Sequence, residues 1–173
     1  MMNNRQRVKK THHRDDLTGE HAIGDAGQAI LACLFFIVWI ADTFFLKYTV
    51  FLNEYILIWI RILLAVVLIG VSGYLAYKGL AIVFGERRKV PGVIRKGVFG
   101  VVRHPIYLSE IMLYLAFIAL SISLAAVMIW VIAVVFLHHI SRYEERMLLQ
   151  RFGEDYRQYM KDVPMWLPRL QWK

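Results

Sequence analysis

Residues 106–140 read IYLSEIMLYLAFIALSISLAAVMIWVIAVVFLHHI, and the fold turns on whether they cross a membrane once or twice. Apart from Glu110, His138 and His139, the run holds no charged or imidazole side chain. As one helix, at ~1.5 Å per residue, it would be ~50 Å long. A bilayer offers only ~30 Å of hydrocarbon. Two shorter helices, at about 106–121 and 124–140, would cross and return, turning near Ser121-Ile122-Ser123. Neither Gly nor Pro marks that turn, so the flanks decide. Arg103 and His104 stand just before the run, and Glu144, Glu145 and Arg146 just after it. One crossing strands these groups on opposite sides of the membrane, whereas a hairpin gathers them on one. Charges held at the ends of apolar helices are costly to place at random and mark a functional site by default.

Further out, apolar segments lie at about 29–46 and 55–84. The second carries Gly70, Ser72, Gly73 and Ala76, small residues at spacings that suit close helix packing. Asp42 and Arg61 fall at similar depth in these two segments and are expected to form an ion pair. Arg87, Arg88, Lys89, Arg95, Lys96 and Arg103 crowd the loop before residue 106, while the turns at 47–54 and 121–125 hold few basic residues. The positive-inside rule then predicts that both termini and the basic loop are cytoplasmic. The expected fold is an all-α integral membrane bundle of about four transmembrane helices with a cytoplasmic C-terminal helical extension. Residues 1–27 are expected to be a mobile polar tail, and 28–173 the membrane domain.

Composition narrows the partners. A hydrophobic share of 58% exceeds the roughly 45–50% of soluble domains and points to membrane lipid as the surroundings. The net charge of +8 sits beside apolar segments rather than among exposed aromatics, which argues for lipid head groups and against nucleic acid. Cys33 is the one cysteine, so no internal disulfide or cysteine cluster forms. His12, His13 and His21 lie in the tail without a scaffold, and no metal site is expected. The polar start is not of signal-peptide form, and the first apolar helix is expected to act as an uncleaved anchor. Oligomeric state is not legible.

Near the C-terminus, Gly153 is a helix stop, Glu154 to Met160 a short amphipathic helix, and Pro164 and Pro168 end regular structure. Tyr156 and Tyr159, with Trp166 and Trp172, suit an aromatic interfacial anchor; the two phenols alternatively close a ligand pocket. Pro105 is well placed in the first turn of a helix, which puts His104 at its entrance. The free N–H groups there suit an anionic ligand. Glu144 and Glu145 point ~100° apart on a helix and cannot share one role. No Gly-x-Gly-x-x-Gly turn follows a strand, so any cofactor must be held by membrane helices and their loops.

The run Gly97-Val98-Phe99-Gly100-Val101-Val102-Arg103-His104-Pro105-Ile106-Tyr107-Leu108 opens a recognisable pattern. It continues through the hairpin to Glu144-Glu145-Arg146-Met147-Leu148-Leu149, Phe152-Gly153-Glu154-Asp155-Tyr156, Tyr159 and Val163-Pro164. On these residues the chain resembles the isoprenylcysteine carboxyl methyltransferase family, part of a larger group that includes membrane phospholipid methyltransferases. The resemblance covers about Val90 to Pro168. It implies S-adenosylmethionine as methyl donor, bound by the half at 90–168, and a lipidic or prenylated acceptor. It implies contacts to that cofactor from Arg103, His104, Pro105, Tyr107, Glu144, Glu145, Tyr156 and Tyr159, with the donor's carboxylate at the helix entrance. One glutamate would hold the donor's amino group or ribose hydroxyls, and the other would pair with Arg142 or Arg146.

Carboxyl O-methylation is the expected activity on this resemblance. A carboxylate acceptor needs a cationic anchor, for which Arg103, Arg142 and Arg146 are candidates. Amine methylation is the alternative and needs a base, for which Glu110, one turn past Tyr107, is the candidate; Glu110 is equally readable as a carboxylate held by the basic loop. A nicotinamide-dependent membrane reductase and a non-enzymatic scaffold are the other readings. Three positions depart from the pattern: Ser109 stands for a glycine, Phe99 for a tyrosine and Met165 for an arginine, whose place Arg169 or Arg142 would have to take.

Overall fold

The computed structural model describes residues 22–85 and 92–167. Five α-helices follow one another: α1 (Ala22–Ile40), α2 (Ile58–Gly85), α3 (Pro105–Ser121), α4 (Leu124–Phe152) and α5 (Glu154–Asp162), with no strand among the described residues. The stretches Ala26–Leu46, Ile58–Gly85 and Leu124–Phe152 are long and apolar enough to cross a membrane, and α3 is a shorter apolar helix. The architecture is a membrane helical bundle.

The hairpin between α3 and α4 turns back at the expected place, without a glycine. Ile122 takes a left-handed conformation (φ 42°), its N–H donating to Ile118 O at 2.6 Å. Ser123 then caps α4, its hydroxyl accepting from Ala126 N at 3.1 Å. A β-branched residue at positive φ is unfavourable on its own, so the surrounding bonds must hold it.

Those bonds involve Asp42. Its carboxylate accepts from the Ser123 hydroxyl at 2.5 Å, from Thr49 N at 3.1 Å and from the Thr49 hydroxyl. Thr49 reaches on to the start of α4, its carbonyl and hydroxyl accepting from the Leu124 and Ala125 N–H groups. The expected Asp42–Arg61 ion pair is therefore corrected. Arg61 donates instead to Asn53 Oδ1 and to Leu120 O. Similar depth did bring both residues to this end of the bundle, but hydroxyls and amides adjacent in the turns were the nearer partners. The end of the first membrane segment also widens into a π-turn at Ala41–Leu46, where Asp42 is the buried residue.

The central element is α3, buried nearly all round. At 17 residues it is ~25 Å long. Its carbonyls receive side-chain donors from three neighbours: Trp39 to Phe117 O (2.9 Å), Ser72 to Ser109 O (2.7 Å) and Trp130 to Ile111 O (3.1 Å). Water is absent from hydrocarbon, so such internal partners count for more than at a wet surface. Phe35 stacks on Tyr114 at 4.4 Å, and these two join Ile118, Ala126 and Ala133 in the core.

Two sequence expectations shift. α1 begins at Ala22, inside the stretch assigned to the polar tail. Gly27 lets this turn of α1 lie hard against α4, since a β-carbon would come 2.3 Å from Phe136 Cζ. The tail proper, with His12, His13 and His21, falls outside the described residues. On α2 the small residues divide. Ser72 and Gly79 are buried against α3, while Gly70 and Gly73 have open space where a side chain would begin.

Candidate functional site

The site is assembled where the start of α3, the late turns of α4 and the segment after α5 meet. Gly97, at φ +58°, starts the approach with a turn that lies against α2; a β-carbon there would stand 2.8 Å from Ile82 Cδ1. Arg95 ties this loop to α5 through Asp155 Oδ1 at 2.5 Å, and the Tyr159 hydroxyl donates to Phe99 O at 2.6 Å. Tyr156, Tyr159 and Val163 form a small second core packed by Leu148, Leu149 and Phe152. Residues 103–104 then pair with the segment beyond α5, Arg103 N donating to Pro164 O (2.9 Å) and His104 N to Met165 O (3.2 Å).

On this frame the charged side chains converge. Arg103 Nε donates to Glu145 Oε1 at 2.7 Å, and its side chain and that of Glu145 are only 9% and 2% exposed. The same guanidinium donates through one terminal nitrogen to Met160 O (2.9 Å) and Val163 O (2.5 Å). Three of its five N–H groups are thus spent inside the chain. His104 is held between both glutamates, with Nδ1 3.5 Å from Glu144 Oε2 and Nε2 3.4 Å from Glu145 Oε1. Tyr107 lies parallel to the imidazole at 5.6 Å and donates its hydroxyl to Glu144. The two glutamates, diverging on the helix as expected, serve different partners and meet only at His104.

Burial drives the His104 pKa down, but the hydrogen bonds and charges of Glu144 and Glu145 outweigh it and leave the pKa raised. The imidazole therefore favours its charged form. Burial raises the pKa of Tyr156 and Tyr159, with the Glu145 charge adding to the shift at both. Both phenols hold their protons.

Residues 54–155 match the phospholipid methyltransferase family. The chain belongs to that family. It is accordingly a membrane methyltransferase, and what is matched is the larger group to which the resemblance pointed. Neither a curated protein nor a solved structure matches the chain. The family match spans both halves of the charged cluster, from α2 to the first turn of α5, and leaves Tyr156, Tyr159 and Trp166 beyond its end.

A methyl donor that carries hydroxyl and amino groups fits the residues of this family member on one observation in particular. Glu145 Oε2 is buried and has no hydrogen-bond partner among the described residues. A carboxylate oxygen taken out of water without a donor is costly, and a ligand donor would relieve it.

The expected site residues do not all converge. Arg103, His104, Tyr107, Glu144 and Glu145 are brought together, with Pro105 buried at the helix start. Arg142 and Arg146 are exposed, and Arg146 lies over the Tyr143 ring at 5.8 Å. Both stand off the ridge Leu137, Ser141, Glu145 that the bundle buries. Glu110 faces along α3 rather than into the cluster and accepts from Tyr114, one turn further on. The Tyr159 hydroxyl is committed to Phe99, leaving its ring as a packing element. Of the departures, Met165 gives its carbonyl to His104, and Arg169 lies outside the described residues.

The sequence does not single out Ser141, and it offers Trp166 only as an interfacial anchor. Both present a buried polar atom with no partner among the described residues. Ser141 stands one turn before Glu145, where a reading of the helix face by steps of three and four also offers Arg142.

Proposed function

We propose that the protein is an S-adenosylmethionine-dependent methyltransferase that methylates the amine of a phospholipid head group. The prior engagement of the buried cations carries this choice of acceptor. The Arg103 guanidinium already serves Glu145 and two carbonyls, and the charged His104 ring is held between Glu144 and Glu145. The other candidate anchors are exposed, and Met165 stands where relatives of the carboxyl-methylating kind are expected to hold arginine. A carboxylate acceptor entering here finds both buried cations already paired, whereas an amine finds carboxylate oxygens that accept its N–H groups. The amine alternative thereby moves ahead of carboxyl O-methylation.

When bound, S-adenosylmethionine would supply the methyl group from its sulfonium. The chain's own residues do the rest. N–H groups in the first turn of α3 suit the donor's carboxylate, and Glu145 Oε2 offers an acceptor. Glu144, linked to the Tyr107 hydroxyl, takes the proton that an ammonium head group must lose before nitrogen can attack. The nitrogen lone pair freed in this way is what would accept the methyl group, the donor being released as a neutral thioether. The apolar walls of α3 and α4 hold the reactants in line and keep water away, so proximity supplies much of the rate.

Vesicles containing an aminophospholipid, the purified protein and methyl-labelled donor test this directly. Label is expected in the lipid extract, and after alkaline hydrolysis in a water-soluble methylated amine. Glu144→Gln should lower the rate about 10²–10⁴-fold, the range for loss of a general base. Label released by alkali as methanol marks a methyl ester and would overturn the amine acceptor in favour of a prenylated carboxylate.

A further inference from the structure

Three buried polar atoms without partners among the described residues belong to two neighbouring segments: Ser141 Oγ and Glu145 Oε2 on α4, and Trp166 Nε1 beyond α5. Ser141 is 0% and Glu145 2% exposed. They stand one turn apart on the ridge of α4 that is buried from Ala126 to Glu145. The Trp166 segment is fixed at both ends. Met165 O accepts from His104 N at 3.2 Å beside Glu145, and the Trp166 ring meets His138 edge-on at 5.6 Å. Met165 thus lies next to His104, the partner of Glu145, and Trp166 next to His138, and along α4 Ser141 falls between Glu145 and His138.

Leaving three such groups unpaired in one seam is costly, and together they define what relieves it. Glu145 Oε2 only accepts, Trp166 Nε1 only donates, and the Ser141 hydroxyl does both. An ammonium would leave the indole N–H unmet, and a carboxylate would leave the glutamate unmet. We infer that this seam takes the nucleoside half of the methyl donor, through an edge that both gives and accepts hydrogen bonds, as a ribose diol or an adenine edge does. The amino-acid end then falls to the start of α3, on the other side of His104. This assignment rests on the methyltransferase reading above, and it adds Ser141 and Trp166 to the binding residues.

Calorimetric binding to the purified full-length chain in detergent tests it, with S-adenosylhomocysteine and with 5′-methylthioadenosine, which keeps the nucleoside and lacks the amino acid. Ser141→Ala and Trp166→Phe should each weaken both ligands about tenfold, the effect of one hydrogen bond to a desolvated partner. If 2′-deoxy-5′-methylthioadenosine erases the Ser141→Ala penalty, the diol is the edge bound; if the penalty persists, adenine is. Thermal unfolding without ligand gives a second readout of opposite sign. Ser141→Ala removes an unpaired hydroxyl, so the free protein should unfold at the same temperature or higher. Wild-type affinity in both variants, a loss confined to S-adenosylhomocysteine, or a lower unfolding temperature for free Ser141→Ala would each overturn the inference. A wild-type chain that binds neither ligand would sink the cofactor reading itself.

Discussion

His104 stands between two carboxylates with its neighbour Arg103 bound to one of them, and this arrangement gives the protein a pH dependence of definite sign. The imidazole's pKa is raised above its ordinary 6.5 by Glu144 and Glu145 against the opposing pull of burial. A group whose pKa is raised on folding contributes stability that is complete below the unfolded value and is lost as pH rises through the folded one. Thermal stability of the detergent-solubilised protein should therefore fall from about pH 6.5 upward, with Glu144, Glu145, Arg103 and Tyr107 facing the ring. His104→Gln should be less stable at pH 6 and should lose this part of the slope, which thermal scans from pH 6 to 9 would show. An identical slope in the variant would assign the dependence to other groups. The residues of this cluster were legible because two short motifs carry them. Ser141 was not, since its hydroxyl becomes conspicuous only once burial removes its partners. Asp42 and Arg61 were misread for the converse reason: depth along a helix says nothing about the threonine and asparagine that turns bring closer.

At the level of elements, α3 organises the rest, and α2 meets it through one narrow stripe. Ala65, Ser72 and Gly79 recur every seven residues and are buried, while Gly70 and Gly73 open toward the surroundings. A β-carbon on Gly79 would lie 2.9 Å from Ile106 Cγ1 and 3.7 Å from Pro105 Cγ. That contact holds α2 against the very turn that starts at His104. Gly79→Leu should then destabilise by about 1–3 kcal/mol, the usual cost of overpacking, and weaken donor binding by displacing the helix start. Gly73→Leu, facing open space, should stay within about 0.5 kcal/mol. Unfolding temperatures of the two variants in one detergent check the contrast, and equal losses would refute the packing described here. The sequence showed small residues on α2 but not which of them touch α3, because the interleaved sets share composition and only the neighbour distinguishes them. The α3–α4 turn was likewise weakly marked. Its left-handed residue is Ile122, and its stability comes from Ser123, Asp42 and Thr49 rather than from a glycine.

For the whole molecule, the return of the chain at Ile122 puts the loop before α3 and the helix α5 at one end of the bundle, and the 47–57 connection at the other. The first end carries the charged cluster, so the face it occupies decides which leaflet supplies the acceptor lipid. Arg95, Lys96 and Arg103 stand at that end, and Arg87, Arg88 and Lys89, outside the described residues, precede them in the sequence. An excess of Lys and Arg in short loops sets orientation, and we expect this end to be cytoplasmic. At 29 residues and a length of ~43 Å, α4 exceeds the ~30 Å of hydrocarbon, and we expect the excess on the same side. Glu144 and Glu145 would then sit at the boundary instead of in lipid. Single cysteines in a Cys33→Ser background test the arrangement. Gly92→Cys and Glu154→Cys should react with a membrane-impermeant maleimide only when the cytoplasmic face is accessible, and Tyr55→Cys only from the opposite face. Labelling of the first two from the outer face would invert the orientation and assign the acceptor to the outer leaflet. Labelling of Gly92→Cys and Glu154→Cys from different faces would break the hairpin, and with it the meeting of Arg103 and Glu145 on which the site depends.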